Sequence, residues 1–96
     1  MNMYPFEQTL TAAAPTFTLA AADFLTTRYG VAGYVKTSQD VTLEIDDGKG
    51  FARPITVKPD AAINLGAFPA GYERIRVTRV AVDALVEVLL ITAPGR

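Results

Sequence analysis

Residues 41–50, with the sequence VTLEIDDGKG, decide the fold class of this chain. Val41, Leu43 and Ile45 alternate with polar residues, which is the period-two pattern of a β-strand with one buried face. Aspartates and glycines follow, and glycine adopts the positive φ that a tight hairpin turn needs. The pattern predicts a strand, a hairpin turn and a return strand over residues 51–57, which Pro54 restricts to a sheet edge or a bulge.

Similar short apolar stretches continue on both sides of this hairpin. We predict further strands over residues 16–19, 24–35, 61–65, 72–80 and 84–91, with turn residues between them. A single helical turn within residues 20–26 is left open as an alternative, because alanines occupy its first half. Short strands separated by turns are typical of two packed antiparallel sheets. The predicted fold is therefore all-β, a small antiparallel β-sandwich or jelly roll.

Residues 81–91 also fit a helix, because several of their apolar side chains recur at helical spacing. We favour a strand, since the segment is rich in β-branched residues, which lose rotamer freedom in helices. As a strand it turns Leu85, Leu89 and Ile91 away from the core, with Glu87 the only charge among them. An outer face this apolar is expected to be covered, either by the N-terminal arm folding back or by another subunit.

Residues 1–15 are predicted to form an extended N-terminal arm, and residues 16–96 the β-sandwich domain. The arm carries the large apolar side chains Tyr4, Phe6 and Leu10 among threonines and alanines. We expect them to dock on their own domain or on a neighbouring subunit, with a frayed terminus as the alternative. Deletion of residues 1–14 is then expected to weaken assembly and to leave the fold intact.

The composition indicates one small domain that does not bind nucleic acid. The chain has 96 residues, and its nine basic and ten acidic residues give a net charge of -1. Nucleic-acid binders need an excess of Lys and Arg to face the phosphates. No apolar run approaches the roughly 20 residues that span a bilayer, and the first residues do not resemble a signal peptide. We therefore expect a soluble cytosolic product without a nucleic-acid or membrane partner.

The residue types present leave little equipment for catalysis. The chain contains no Cys and no His, so thiolate chemistry and the commonest general base are absent. Ser38 therefore lacks an obvious activating base, and Lys36 is the only nearby candidate. Glu44, Asp46 and Asp47 could hold calcium, but Asp-Asp-Gly is also a common turn sequence, and we favour the turn. We expect no enzyme activity, no cofactor and no metal.

Two arginines predict a basic stripe on the strand over residues 72–80. Arg74 and Arg76 share one face with Tyr72 and Thr78, while apolar side chains occupy the other face. A solvated outer face is the default interpretation. The alternative is contact with an acidic patch on a partner, because arginine is enriched at the energetic centres of interfaces.

The body of the chain, from Phe17 to Ile91, resembles the small β-sandwich virion proteins of tailed bacteriophages, such as capsid decoration or cement proteins. The likeness is carried by residues 63–68 (INLGAF), 72–78 (YERIRVT) and 85–91 (LVEVLLI). The resemblance implies a non-enzymatic structural protein that binds the major capsid protein or other virion subunits and decorates or stabilises the particle. It also implies a homo-oligomer located in the virion and assembled in the host cytoplasm.

The candidate interface residues are Tyr4, Phe6, Leu10, Arg74, Arg76, Leu85, Leu89 and Ile91. The alternative function is a carbohydrate- or ligand-binding β-sandwich module. Its stacking platforms would be Tyr29, Tyr34 and Tyr72.

Overall fold

A computed structural model describes residues 2–20, 30–67 and 71–92 of the chain. The described residues form eight strands and one short 3-10 turn at Leu65–Ala67. The strands are β1 (Asn2–Leu10), β2 (Thr16–Ala20), β3 (Gly30–Thr37), β4 (Val41–Asp46), β5 (Ile55–Val57), β6 (Ile63–Asn64), β7 (Arg74–Arg79) and β8 (Ala84–Thr92). The predicted all-β class is confirmed.

The strands form two four-stranded antiparallel sheets that pack against each other. The first sheet has the order β1-β8-β3-β6, and the second has the order β2-β7-β4-β5. The hairpin of β4 and β5 is enclosed by the pair β3–β6, then by β2–β7, and finally by β1–β8. The chain is thus one long hairpin wound over two sheets, which is the jelly-roll arrangement.

The core lies between the sheets and follows the period-two pattern of the strands. Val41, Leu43 and Ile45 of β4 are all buried, as the pattern predicts. In β8, alternate residues from Ala84 to Thr92 are buried and the residues between them face outward. The preference for a strand over a helix at residues 81–91 is therefore confirmed.

Residues 2–10 are extended, as expected of the arm, but they lie inside the sandwich as an edge strand. Strand β1 pairs with β8 from Asn2–Thr92 to Leu10–Ala84. Leu10 is fully buried in the core, and Tyr4 and Phe6 pack against it. Pro5 fits this position, because a strand at the edge of a sheet tolerates a missing N–H. Removal of residues 1–14 would therefore remove part of the core, so we no longer expect it to leave the fold intact.

Tyr72 lies in the core, although the sequence pattern put it on the outer face with the arginines. It precedes β7, is almost completely buried, and donates a hydrogen bond from its hydroxyl to the carbonyl oxygen of Ala32 at 2.6 Å. Burial raises the pKa of Tyr72 to about 12. A side chain at Gly30 would collide with this ring, so the residue pair locks β3 to the start of β7.

Several boundaries differ from the sequence prediction. The return strand is shorter than expected, because residues 47–54 form a loop in which only Phe51 bridges back to Asp46. Only Ile63 and Asn64 of the predicted strand over residues 61–65 pair with β3. Residues 24–29 of the predicted third strand, residues 21–26 of the possible helical turn, and Tyr29 lie outside the described residues.

Candidate interaction surface

The side of the first sheet that faces away from the core is the candidate interaction surface, called here the outer face. Three long strands contribute to it, and their outward side chains alternate with the buried ones. Its large apolar side chains Met3, Tyr34 and Leu85 are exposed, at 63%, 37% and 38%. The outer face consists of Met3, Pro5, Glu7 and Thr9 from β1, Leu85, Glu87, Leu89 and Ile91 from β8, Ala32, Tyr34 and Lys36 from β3, and Asn64 from the short edge strand β6.

Strand register arranges these side chains in rows that cross the sheet. One row consists of Met3, Ile91 and Ala32, and the next consists of Pro5, Leu89 and Tyr34. Residues directly opposite each other on one face of a sheet have their Cβ atoms roughly 5 Å apart. The two rows therefore form one continuous apolar surface on half of the outer face.

A charged row of Glu7, Glu87 and Lys36 borders this apolar surface. Glu7 lies directly opposite Glu87, and like charges in this position destabilise a sheet. The ion pairs found among the described residues lie elsewhere in the molecule. The row thus keeps its charges available to an approaching surface.

A shallow depression of about 320 Å³ lies where the apolar rows meet the charged row. Its walls include Pro5 and Glu7 on one side and Tyr34 on the other, with Glu87 between them. This volume is at the small end of the range for ligand sites, roughly 300–1,000 Å³. It suits one aromatic or basic side chain better than a whole small molecule.

The outer side of the second sheet has a different character, because its charges are paired within the chain. Arg76 makes two hydrogen bonds with the carboxylate of Glu44, at 2.8 and 2.9 Å. Arg74 binds Asp46, with its Nε 2.8 Å from Oδ2. Both guanidinium groups stack on the ring of Phe51, with centroid distances of 4.6 and 4.1 Å. Arg74 and Arg76 therefore point outward together as predicted, but with their charges already neutralised.

Asp46 organises the loop that follows β4. Its Oδ1 accepts hydrogen bonds from the N–H groups of Gly48 and Gly50, at 2.8 and 3.0 Å. Burial by itself raises the pKa of this carboxyl, but the two N–H groups and Arg74 outweigh it and hold the pKa below its ordinary value. The hydrogen bond from Arg76 lowers the pKa of Glu44 in the same way.

The acidic residues considered for calcium have protein partners instead. Asp46 binds Gly48, Gly50 and Arg74, and Asp47 accepts a hydrogen bond from the Lys49 N–H at 3.2 Å. In the described part of the chain, no group of three or more Asp, Glu, His or Cys side chains is placed to hold a metal ion. The turn interpretation of this sequence accounts for the contacts observed.

Ser38 is engaged with the backbone of β8. Its hydroxyl oxygen accepts a hydrogen bond from the Leu85 N–H at 2.8 Å, and its own N–H donates to the Leu85 carbonyl at 2.9 Å. These contacts extend the pairing of β3 and β8 past the end of β3. Ser38 thus has a structural role at the sheet end.

The predicted interface residues are divided among three places. Leu85, Leu89 and Ile91 lie on the outer face. Leu10 is buried in the core, with Tyr4 and Phe6 packed against it, and the rings of Phe6 and Phe17 are 5.0 Å apart. Arg74 and Arg76 lie on the opposite sheet. Only the three β8 residues therefore share one exposed surface.

Sequence reasoning missed the members of the outer face that lie on β1 and β3, namely Met3, Pro5, Glu7, Thr9, Ala32 and Lys36, and it considered Tyr34 only as a sugar-stacking platform. They belong to strands that are distant in the chain from β8 and meet it only through the sheet register. A usable signal was present in β1, where Tyr4, Phe6 and Leu10 alternate with outward residues. That alternation predicts a paired strand, but not the strand that it pairs with.

Within residues 2–20, 30–67 and 71–92, no helix is long and apolar enough to cross a bilayer. Comparison of the chain with protein-family models, with curated proteins and with solved structures finds no match.

Proposed function

We propose that this chain is a non-enzymatic structural protein of a tailed-phage virion. It binds the major capsid protein or other virion subunits and decorates or stabilises the particle. The observation that carries the proposal is the outer face, where an apolar surface built from three strands lies beside a charged row that forms no ion pair with the described residues. An exposed apolar patch bordered by polar residues is the type of surface through which proteins contact one another.

The fold supports the same proposal by analogy. Jelly rolls with two four-stranded sheets are common in viral capsid proteins, and they also occur in lectins and cupins. A fold alone does not define a function, so the surface must decide between these classes. Here an extended apolar feature lies on a sheet face, which suits contact with another protein.

Binding through this surface would be driven by burial of apolar area. Each Å² of apolar surface removed from water contributes about 25 cal/mol before the costs of association are subtracted. The rows lie on paired strands, so little backbone ordering is needed when a partner docks. The absence of His and Cys from the whole sequence also fits a protein that makes contacts without catalysis.

The experiment tests whether the chain is part of a particle. A tagged copy of the chain is expressed in the host cells in which its gene is found. The virion particles that these cells release are then separated on a density gradient. The chain should band with the particles in many copies, whereas Leu89→Glu should remain in the unbound fraction. Val80→Glu is the matched control, because Val80 is also exposed, at 56%, but lies outside the outer face. Wild-type chain found only in the unbound fraction would contradict the proposal.

A carbohydrate-binding module is the second candidate, and among the described residues it now depends on Tyr34 alone. Tyr34 is exposed beside the depression and near the carboxylates of Glu7 and Glu87, as a sugar-stacking ring would be. Tyr72 is buried and is no stacking platform. A glycan array read with wild type and Tyr34→Ala distinguishes this candidate, which requires a signal that the substitution abolishes.

A further inference from the structure

The rows of the outer face have a symmetry that suggests how a second copy would fit. In the part of the face made by β8 and β3, Ile91 lies opposite Ala32, Leu89 opposite Tyr34, and Glu87 opposite Lys36. Each row therefore joins one β8 side chain to one β3 side chain. In the last row these two side chains carry opposite charges.

Two copies can stack with their outer faces in contact and a two-fold axis between them. If this axis is parallel to the strands and lies over the line midway between β8 and β3, it exchanges the members of every row between the two copies. Each β8 side chain then faces the β3 side chain of its own row on the other copy, as an isologous interface requires. Glu87 of one copy would meet Lys36 of the other, and the reverse contact would form as well. Leu89 would meet Tyr34 in the same way.

Neighbouring positions of the axis are less favourable. An axis that runs along β8 pairs Glu7 with Lys36 twice but also places Glu87 against Glu87 of the second copy, and this like-charge contact is costly. An axis that is perpendicular to the strands and passes over the charged row places Glu7, Glu87 and Lys36 each against the same residue of the second copy. Charge complementarity therefore selects the axis between β8 and β3.

We propose that the outer face binds a second copy of this chain about this axis, which gives a dimer joined by two Glu87–Lys36 pairs. The proposal rests on the assembly role proposed above and names the partner of the outer face. The depression fits the arrangement, because Tyr34 of the second copy lies over Leu89 and beside the walls formed by Pro5 and Glu7. Aligned packing of sheet faces is common in β proteins.

The size of the face predicts a weak dimer. Three long strands of about nine residues cover about 30 Å by 15 Å, on the order of 450 Å², at standard strand dimensions. Stable complexes bury about 800 Å² on each partner. We therefore expect a dimer that forms only at high protein concentration in solution. In a particle, further contacts with neighbouring subunits would add to this weak contact.

Charge reversal tests the two cross-subunit pairs directly. Lys36→Glu and Glu87→Lys should each weaken self-association at least about ten-fold in sedimentation equilibrium, because each brings like charges together. An equimolar mixture of the two variants should associate again, since one chain then carries carboxylates at both positions and the other carries ammonium groups at both. The double variant Lys36→Glu/Glu87→Lys should dimerise like the wild type. Far-UV circular dichroism of each variant checks that it is folded.

A control mixture separates this pairing from general attraction between oppositely charged proteins. Lys49→Glu and Asp60→Lys make the same charge changes at exposed residues outside the outer face. Their mixture should associate no more than wild type. Equal association of the two mixtures, or failure of the Lys36→Glu and Glu87→Lys mixture to associate, overturns the proposed axis.

A wild-type chain that stays monomeric at millimolar concentration overturns the dimer but not the virion role. That role fails separately, if the chain does not band with particles. The two results therefore distinguish failure of the symmetric contact from failure of the proposed function.

Discussion

At the scale of single residues, the carboxylate of Asp46 meets donors from two separate parts of the chain. The N–H groups of Gly48 and Gly50 bind one oxygen, and the guanidinium of Arg74 binds the other. The side chain is only 4% exposed, so few water molecules can replace these partners. Asp46 thereby fixes the loop after β4 to the neighbouring strand β7.

Replacement of Asp46 by Asn separates its two roles. The amide oxygen can still accept the loop N–H groups, but the ion pair with Arg74 is lost. We expect a loss of roughly 1–3 kcal/mol in the free energy of unfolding, measured by urea denaturation. The control is Asp47→Asn, whose side chain is exposed and should change stability by less than about 0.5 kcal/mol. Equal effects of the two substitutions would contradict this role of Asp46.

Acid should destabilise the domain through the carboxyls of Asp46 and Glu44. The pKa of each is lower in the folded state than its ordinary value, 3.8 for Asp46 and 4.5 for Glu44. Their contribution is therefore complete above these ordinary values and is lost as the pH falls through the lowered folded-state pKa values. Thermal unfolding followed from pH 7 to pH 2 should show this loss, and Asp46→Asn with Glu44→Gln should flatten the curve below pH 4.5. An unchanged slope in the double variant would rule out these two groups as its source.

At the scale of secondary structure, β1 stabilises the first sheet from its edge. Its inward residue Leu10 is fully buried, whereas Thr9 beside it is exposed. Leu10→Ala should lower the free energy of unfolding by about 2–5 kcal/mol, as large-to-small changes in cores do. Thr9→Ala on the same strand should have little effect. A small effect of Leu10→Ala in chemical denaturation would mean that β1 contributes little to the fold.

The elements that could be predicted from the sequence are those whose signal is local. Strands β4 and β8 carry their alternation in consecutive residues, so Val41, Leu43 and Ile45 could be assigned to the core. The place of β1 could not be assigned, because its partner β8 lies at the other end of the described chain and no local pattern encodes that pairing.

The outer face was predicted only in part for the same reason. Leu85, Leu89 and Ile91 belong to one strand, and their shared direction follows from the period of two. The charged row joins Glu7, Glu87 and Lys36 from three strands, so it exists only once the register is fixed. Tyr72 was misplaced because the outward pattern of β7 was extended to a residue that precedes the strand.

At the scale of the whole molecule, the last two strands complete both sheets. Strand β7 lies between β2 and β4, and β8 lies between β1 and β3. A fragment of residues 1–72 keeps six strands but lacks one of the two inner strands of each sheet. We expect it to be unfolded, with poor amide dispersion in NMR spectra, whereas the full chain should give a well-dispersed spectrum. A cooperatively folded 1–72 fragment would contradict this dependence.

The nested strand pairs also bring residues 2 and 92 side by side at one corner of the sandwich. Paired Cα atoms in antiparallel strands are only about 5 Å apart, so a few added residues could join them into a closed ring. The chain could then be opened at the exposed loop over residues 47–54 without breaking a pair of long strands. For the same reason, the domain could be grafted into a surface turn of a larger protein, with both junctions leaving from one corner.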